Sequence, residues 1–240
     1  MFKHKAVLII HGIAGGTYDE EGLLFDCEQV RGFDVYQFTL PGHNVKSIKH
    51  TSREEWISYS EDRLKYLIKH GYKKIYLVGH SMGGVIATYL ATKHKEVKKI
   101  VLIAPSFSHI EKEEGGFFGA LMKSPEIVKA YSLSEVETRI TKLPPKAIKE
   151  FLELCDLYRY TYRDLKIPVM ILHGSKDQLV PIKTTRNIYT EISNKHKVYV
   201  TIRNYYHDIF NGPKLPEINK EIISFLKKPK FMIKMEKKEL

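Results

Sequence analysis

Six apolar runs of four or five residues recur along this 240-residue chain with amphipathic stretches between them, and that alternation narrows the folds open to it. The runs are Ala6 to Ile10, Asp34 to Phe38, Ile75 to Val78, Ile100 to Ile103, Val169 to Leu172 and Val198 to Ile202. They are rich in β-branched residues and almost continuously apolar, which marks strands buried on both faces, as in a parallel sheet. Helical patterns lie between them: Glu20 to Val30, Arg53 to His70, Gly84 to His94, Ile182 to Ile192 and Leu215 to Leu226. In the second, Trp56, Tyr59, Leu64, Leu67 and Ile68 recur at helical spacing. Repeated strand–helix alternation implies right-handed crossovers and an α/β fold with helices on both faces of the sheet. Residues 107–165 break the rhythm, with helical pieces but no strand-like run between the fourth and fifth strands. A crossover needs far fewer residues, and long insertions are usually lids or binding elements. We read 1–106 and 166–240 as the core and 107–165 as a small helical cap.

Gly79-His80-Ser81-Met82-Gly83-Gly84 directly follows the third strand and opens the third helix. A Gly-x-Ser-x-Gly sequence in that setting is a strand-to-helix elbow, in which the serine sits on a strained turn above the carboxyl ends of the strands. Ser81 is therefore a candidate nucleophile. A serine needs a base, and the base needs a carboxylate to orient it. Folds built on this elbow present them in the order serine, acid, histidine. Asp177 follows the fifth strand in His173-Gly-Ser-Lys-Asp177, where ligands gather in open α/β sheets. Beyond it only His196 and His207 remain. His196 precedes the sixth strand and belongs at the opposite edge, so His207, which follows that strand, is the candidate base. The expected oxyanion donors are the backbone N–H of Met82 and that of Ile13, in the loop His11-Gly12-Ile13-Ala14-Gly15-Gly16 after the first strand.

These features resemble the α/β-hydrolases, and more narrowly the small bacterial carboxylesterases and monoacylglycerol lipases. The resemblance runs through His11-Gly12, Pro41-Gly42-His43, the Ser81 elbow, the Asp177 loop and His207. It implies an α/β-hydrolase fold and hydrolysis of a small-molecule carboxylic ester through an acyl-enzyme. Short- to medium-chain acyl esters or monoacylglycerols are the implied substrates. Pro41-Gly42-His43 resembles a loop that shapes the active-site rim; His43 is given no catalytic role, and His80 is read as packing. Phe117, Phe118, Leu121 and Met122 of the cap are candidate substrate contacts. Two departures stand out. The family's sheet usually begins with a hairpin before this strand, but only five residues precede Ala6, so a minimal, mostly parallel sheet of about six strands is expected. Ile13 also stands where relatives often carry an aromatic residue, which alters the acyl-pocket wall. The same triad could serve a thioesterase, a peptidase or a carbon–carbon bond hydrolase, and a binding protein on a hydrolase scaffold is a further alternative.

Composition excludes other classes. Lys and Arg number 39 against 28 Asp and Glu, a net charge of +11, but the basic residues are scattered and no zinc-finger spacing appears. Nucleic acid is not an expected partner. No dinucleotide fingerprint or metal-ligand spacing occurs, so no cofactor and no metal are implied. No apolar run approaches the roughly 18–20 residues that span a bilayer, and the apolar stretch near the N-terminus is short for a secretion signal. Cys27 and Cys155 read as reduced, buried thiols, and the expected location is the cytoplasm. The tail Lys227 to Lys238 mixes lysines with Glu236 and reads as a frayed, solvated end rather than a membrane-binding element.

Overall fold

The structure, a computed structural model, describes residues 5–43, 51–107, 139–140, 142–177 and 179–240. Among these residues seven strands form one sheet: β1 (Lys5–Ile10), β2 (Phe33–Phe38), β3 (Ile75–His80), β4 (Val97–Ile103), β5 (Val169–Gly174), β6 (Lys197–Ile202) and β7 (Glu236–Glu239). Their order is β2-β1-β3-β4-β5-β6-β7, and every pairing is parallel. Six α-helices are described: α1 (Glu21–Glu28), α2 (Arg53–Lys69), α3 (Met82–Lys93), α4 (Pro145–Leu157), α5 (Ile182–Glu191) and α6 (Leu215–Lys227).

The apolar runs are continuous because both faces of each strand are covered. Ala6, Leu8 and Ile10 join one core with Trp56, Leu64, Val85, Ile86, Phe151 and Ile188. Val7 and Ile9 join the other with Leu23, Cys27, Ile218, Ile222 and Phe225. Helices α2, α3, α4 and α5 thus cover one face, and α1 and α6 the other. Helix α2 starts sharply because Ser52 accepts from the Glu55 N–H while Glu55 accepts from the Ser52 N–H. Helix α4, inside the 107–165 stretch, is amphipathic and buries Ala147, Ile148, Phe151 and Leu154 in the first core. Arg53 of α2 holds it through Glu150 (2.7 Å) and Glu153 (2.5 Å).

Six strands match the sequence expectation and one exceeds it. Part of the tail read as frayed is folded: a 3-10 turn at Lys230–Met232 leads into β7, which extends the sheet beside β6. Edge pairing is a backbone interaction, so it leaves no apolar pattern in Glu236–Glu239. The turn is anchored by the buried Ile233, whose carbonyl accepts from His196 Nδ1 at 2.8 Å. Tyr189 donates to the Glu236 carbonyl at 3.0 Å. Cys27 and Cys155 are free and buried, and burial pushes the Cys27 thiol up to about 12, so neither is a reactive thiolate. Among the described residues no helix is long and apolar enough to cross a membrane.

Candidate active site

The strand order reverses around β1, which has β2 on one side and β3 on the other. Open α/β sheets bind ligands at the carboxyl ends of strands beside such a reversal. Here the loop after β1 and the turn after β3 touch: a Cβ on Gly12 would lie 2.9 Å from Ser81 Cβ. Two glycines make the turn possible. A Cβ on Gly79 would meet the Gly83 carbonyl oxygen at 2.4 Å, and one on Gly83 would meet the Ile10 oxygen at 2.1 Å. Helix α3 can therefore begin directly after β3 and still lie against β1.

Ser81 pays for this with φ 52° and ψ −118°, a conformation costing about 1–3 kcal/mol for a residue with a side chain. Its backbone is pinned there. Ser81 N–H donates to the Ile103 carbonyl (2.8 Å), and its own carbonyl accepts from Gly84 (3.0 Å) and Ser106 (3.3 Å). Its hydroxyl pairs with the Ser106 hydroxyl at 3.0 Å. Met82 is the first residue of α3, so its N–H has no partner within the helix, and the helix N-terminus favours negative charge beside Ser81.

Asp177 and His207 come from the loops after β5 and β6. Those loops pack closely because residue 174 is glycine: a Cβ there would meet the Tyr206 carbonyl oxygen at 2.2 Å. Asp177 Oδ1 accepts from the N–H groups of Leu179 and Val180, both at 2.9 Å. Its Oδ2 accepts from His207 Nδ1 at 2.8 Å. The Asp177 side chain is fully buried. Burial alone would raise its pKa, but His207, His173 and the Val180 N–H outweigh it and hold the carboxyl below its usual value. His173 Nε2 lies 3.0 Å from the Val180 carbonyl and 3.4 Å from Asp177 Oδ2, and burial outweighs the Asp177 carboxylate to lower this imidazole's pKa.

Ser81 and His207 line one small cavity with Gly12, Ile13, Asp19 and Ile140. The structure thus brings together Ser81, Asp177, His207, Ile13 and the backbone of Met82. Phe117, Phe118, Leu121 and Met122 lie outside the described residues.

Buried side chains behind the cavity were missed by sequence reasoning or given too little to do. His11 donates from Nδ1 to the Gly12 carbonyl (2.8 Å) and accepts the Leu40 N–H on Nε2 (2.9 Å). Burial, then His43, lowers its pKa to about 3, so it is a neutral strut under the Gly12 loop. The His43 ring packs on His11 and on Trp56, whose indole donates to the Pro41 carbonyl at 3.0 Å. His80 is more than packing. Its Nδ1 lies 3.5 Å from the buried Glu20 carboxylate, and its Nε2 lies 3.4 Å from the His207 carbonyl. Asp19 accepts from the Gly16 N–H (3.0 Å) and pairs with Arg139 (2.6 Å), which ties the 107–165 stretch to the Gly12 loop. Ser106 had a findable signal, its place just past the carboxyl end of β4; Glu20 and Arg139 had none, being joined to the site only by folding.

The alpha/beta hydrolase fold model matches residues 5–128, and the chain belongs to that family. A serine aminopeptidase (S33) model matches residues 113–214. A carboxylesterase of Bacillus subtilis (strain 168) is 27% identical over 237 residues, covering 93% of each chain. A thermostable monoacylglycerol lipase of Bacillus sp. (strain H-257) is 24% identical over 214 residues, covering 84% of this chain and 82% of its own. The crystal structure of Paleococcus ferrophilus monoacylglycerol lipase superposes with a TM-score of 0.71 at 24% identity, over 92% of this chain and 93% of that one.

Proposed function

We propose that this protein is a serine carboxylic ester hydrolase, working through an acyl-enzyme on short- to medium-chain acyl esters or monoacylglycerols. The observation that carries the reading is the convergence on one cavity of Ser81, strained at its elbow, and His207, bonded to buried Asp177. The similarity to a carboxylesterase and a monoacylglycerol lipase supports the substrate class.

In this mechanism Asp177 holds the Nδ1–H tautomer of His207, leaving Nε2 free to take the Ser81 proton. The Ser81 hydroxyl exchanges Ser106 for His207, and its oxygen attacks the ester carbonyl. The N–H groups of Ile13 and Met82 stabilise the oxyanion, each such donor being worth about 100- to 1000-fold in rate. His207 then protonates the departing alcohol, and water repeats the sequence to release the acid. Within residues 107–165 α4 packs into the first core, so the cap proposed over the acyl channel is the stretch before it, with Phe117, Phe118, Leu121 and Met122 as its proposed apolar contacts. The contacts of Ile140 with the cavity and of Arg139 with Asp19 support that placement.

The test is hydrolysis of a series of p-nitrophenyl esters of increasing acyl length by the wild type and by Ser81→Ala. Activity with a chain-length optimum, lost in the variant, is the expected result. Equal hydrolysis by both proteins across the series would overturn the proposal. A peptidase reading draws on the serine aminopeptidase match over 113–214. Ser81-dependent cleavage of aminoacyl p-nitroanilides without ester cleavage would favour it.

A further inference from the structure

At the amino-terminal edge of the sheet, opposite the candidate active site, lysines from separate elements converge on one groove. Lys5 opens β1, Lys74 immediately precedes β3, Lys98 lies in β4, and Lys227, Lys228 and Lys230 follow one another at the end of α6. Lys99 draws these elements together from inside. It is buried, and its ammonium donates to the carbonyls of Phe225 (2.7 Å), Leu226 (2.7 Å) and Lys228 (2.5 Å), joining β4 to the end of α6. Among the described residues no carboxylate is paired with any of the six groove lysines. Asp26, in the adjoining groove with Lys220 and Met232, is taken by Asn219 at 2.8 Å.

Beside this groove the turn after α6 exposes apolar side chains. Phe231 is 79% exposed, Met235 65% and Met232 49%. Their backbone is not loose: Ile233 between them is buried, and β7 follows. Large apolar side chains held outward from an anchored turn, beside lysines with no carboxylate partner among the described residues, match the chemistry of an anionic bilayer surface. The lysines meet the headgroup charge, and the phenyl and thioether groups enter the headgroup–acyl boundary. Nucleic acid would use the lysines but leave Phe231, Met232 and Met235 without a role. A second copy of the same face would set lysine against lysine.

We propose that this face docks the protein peripherally on membranes containing anionic lipid. Strands β1 and β3, six residues each, separate the face from Ser81 by about 20 Å, so docking leaves the catalytic cavity open.

The experiment is co-sedimentation of the full chain with phosphatidylcholine vesicles, with and without phosphatidylglycerol, at low and high salt. Binding to the anionic vesicles alone, weakened by salt, is expected. Phe231→Ser with Met232→Ser should reduce the partition coefficient at least tenfold, and Lys228→Glu with Lys230→Glu should do the same. Melting temperature and hydrolysis of a soluble ester should stay unchanged in both. Lys149→Glu with Lys183→Glu, the same charge change on exposed lysines elsewhere, should retain binding. The proposal is overturned by no binding to anionic vesicles, by equal loss in the Lys149/Lys183 variant, or by insensitivity to the Phe231 and Met232 changes. Tighter binding to a single-stranded oligonucleotide, indifferent to Phe231 and Met232, would overturn it in favour of a nucleic-acid surface.

Discussion

Replacing Asp177 with Asn tests the proposed catalytic geometry with little change in shape. Oδ1 of Asp177 accepts two backbone N–H groups, from Leu179 and Val180, and Oδ2 accepts His207 Nδ1. An asparagine must keep its carbonyl oxygen toward the two N–H groups, because turning the amide round would set an NH2 against two donors. Its NH2 then faces His207 and drives the imidazole to the tautomer with the proton on Nε2. That nitrogen can no longer take the Ser81 proton. The corresponding change in a serine protease triad lowers kcat by about 10⁴, roughly 5.5 kcal/mol in the barrier. Folding should be nearly untouched, since the turn keeps both its hydrogen bonds; a loss of about 1–2 kcal/mol is expected. Steady-state kinetics on a p-nitrophenyl ester, with Ser81→Ala as the baseline and thermal unfolding as the control, make the measurement. A variant within tenfold of wild type in kcat, with an unchanged melting temperature, would refute the assignment of Asp177.

Other substitutions probe the frame. Gly83→Ala places a methyl 2.1 Å from the Ile10 carbonyl and 2.5 Å from that of His11, neither of which can yield. It should cost more than about 4 kcal/mol, whereas Gly71→Ala, at φ +91° with nothing within 4 Å, should cost about 1 kcal/mol; urea denaturation of the pair checks the contrast. Phe151→Ala, emptying a site 1% exposed between α4 and the core, should cost about 3–5 kcal/mol and lower Tm by on the order of 10 °C. Glu20→Gln addresses pH. Burial raises the Glu20 carboxyl from 4.5 to about 7. Burial would lower His80, but the Glu20 carboxylate outweighs it and raises the imidazole. Glu20 holds more protons folded than unfolded as pH climbs from 4.5 to 7, so wild-type stability should fall across that window and the Gln variant should lose most of the slope. Parallel slopes of Tm against pH would show that the pair contributes nothing.

What could be read along the chain and what could not divide by the range of the physical cause. A strand buried on both faces must be apolar at successive positions, so β1 to β6 show themselves in windows of five residues. The Ser81 elbow is equally local, since its glycines are needed within four residues of one another. Asp177 and His207 became legible only through a rule of order, which places each after its strand without saying what either touches. The tail failed for the opposite reason. An edge strand such as β7 is held by its main chain, so Glu236–Glu239 could be almost any solvated sequence. Glu20 and Arg139 lie beyond any local reading, because their meaning arises when His80 and Asp19 arrive from distant positions. Glu20 shows the difference most directly. At the start of a helix a glutamate is ordinary, and only burial against His80 turns it into a carboxyl that holds its proton near neutrality. The positions where local expectation and tertiary environment disagree are therefore the ones to mutate first, because there folding has imposed a cost that the local chemistry did not require.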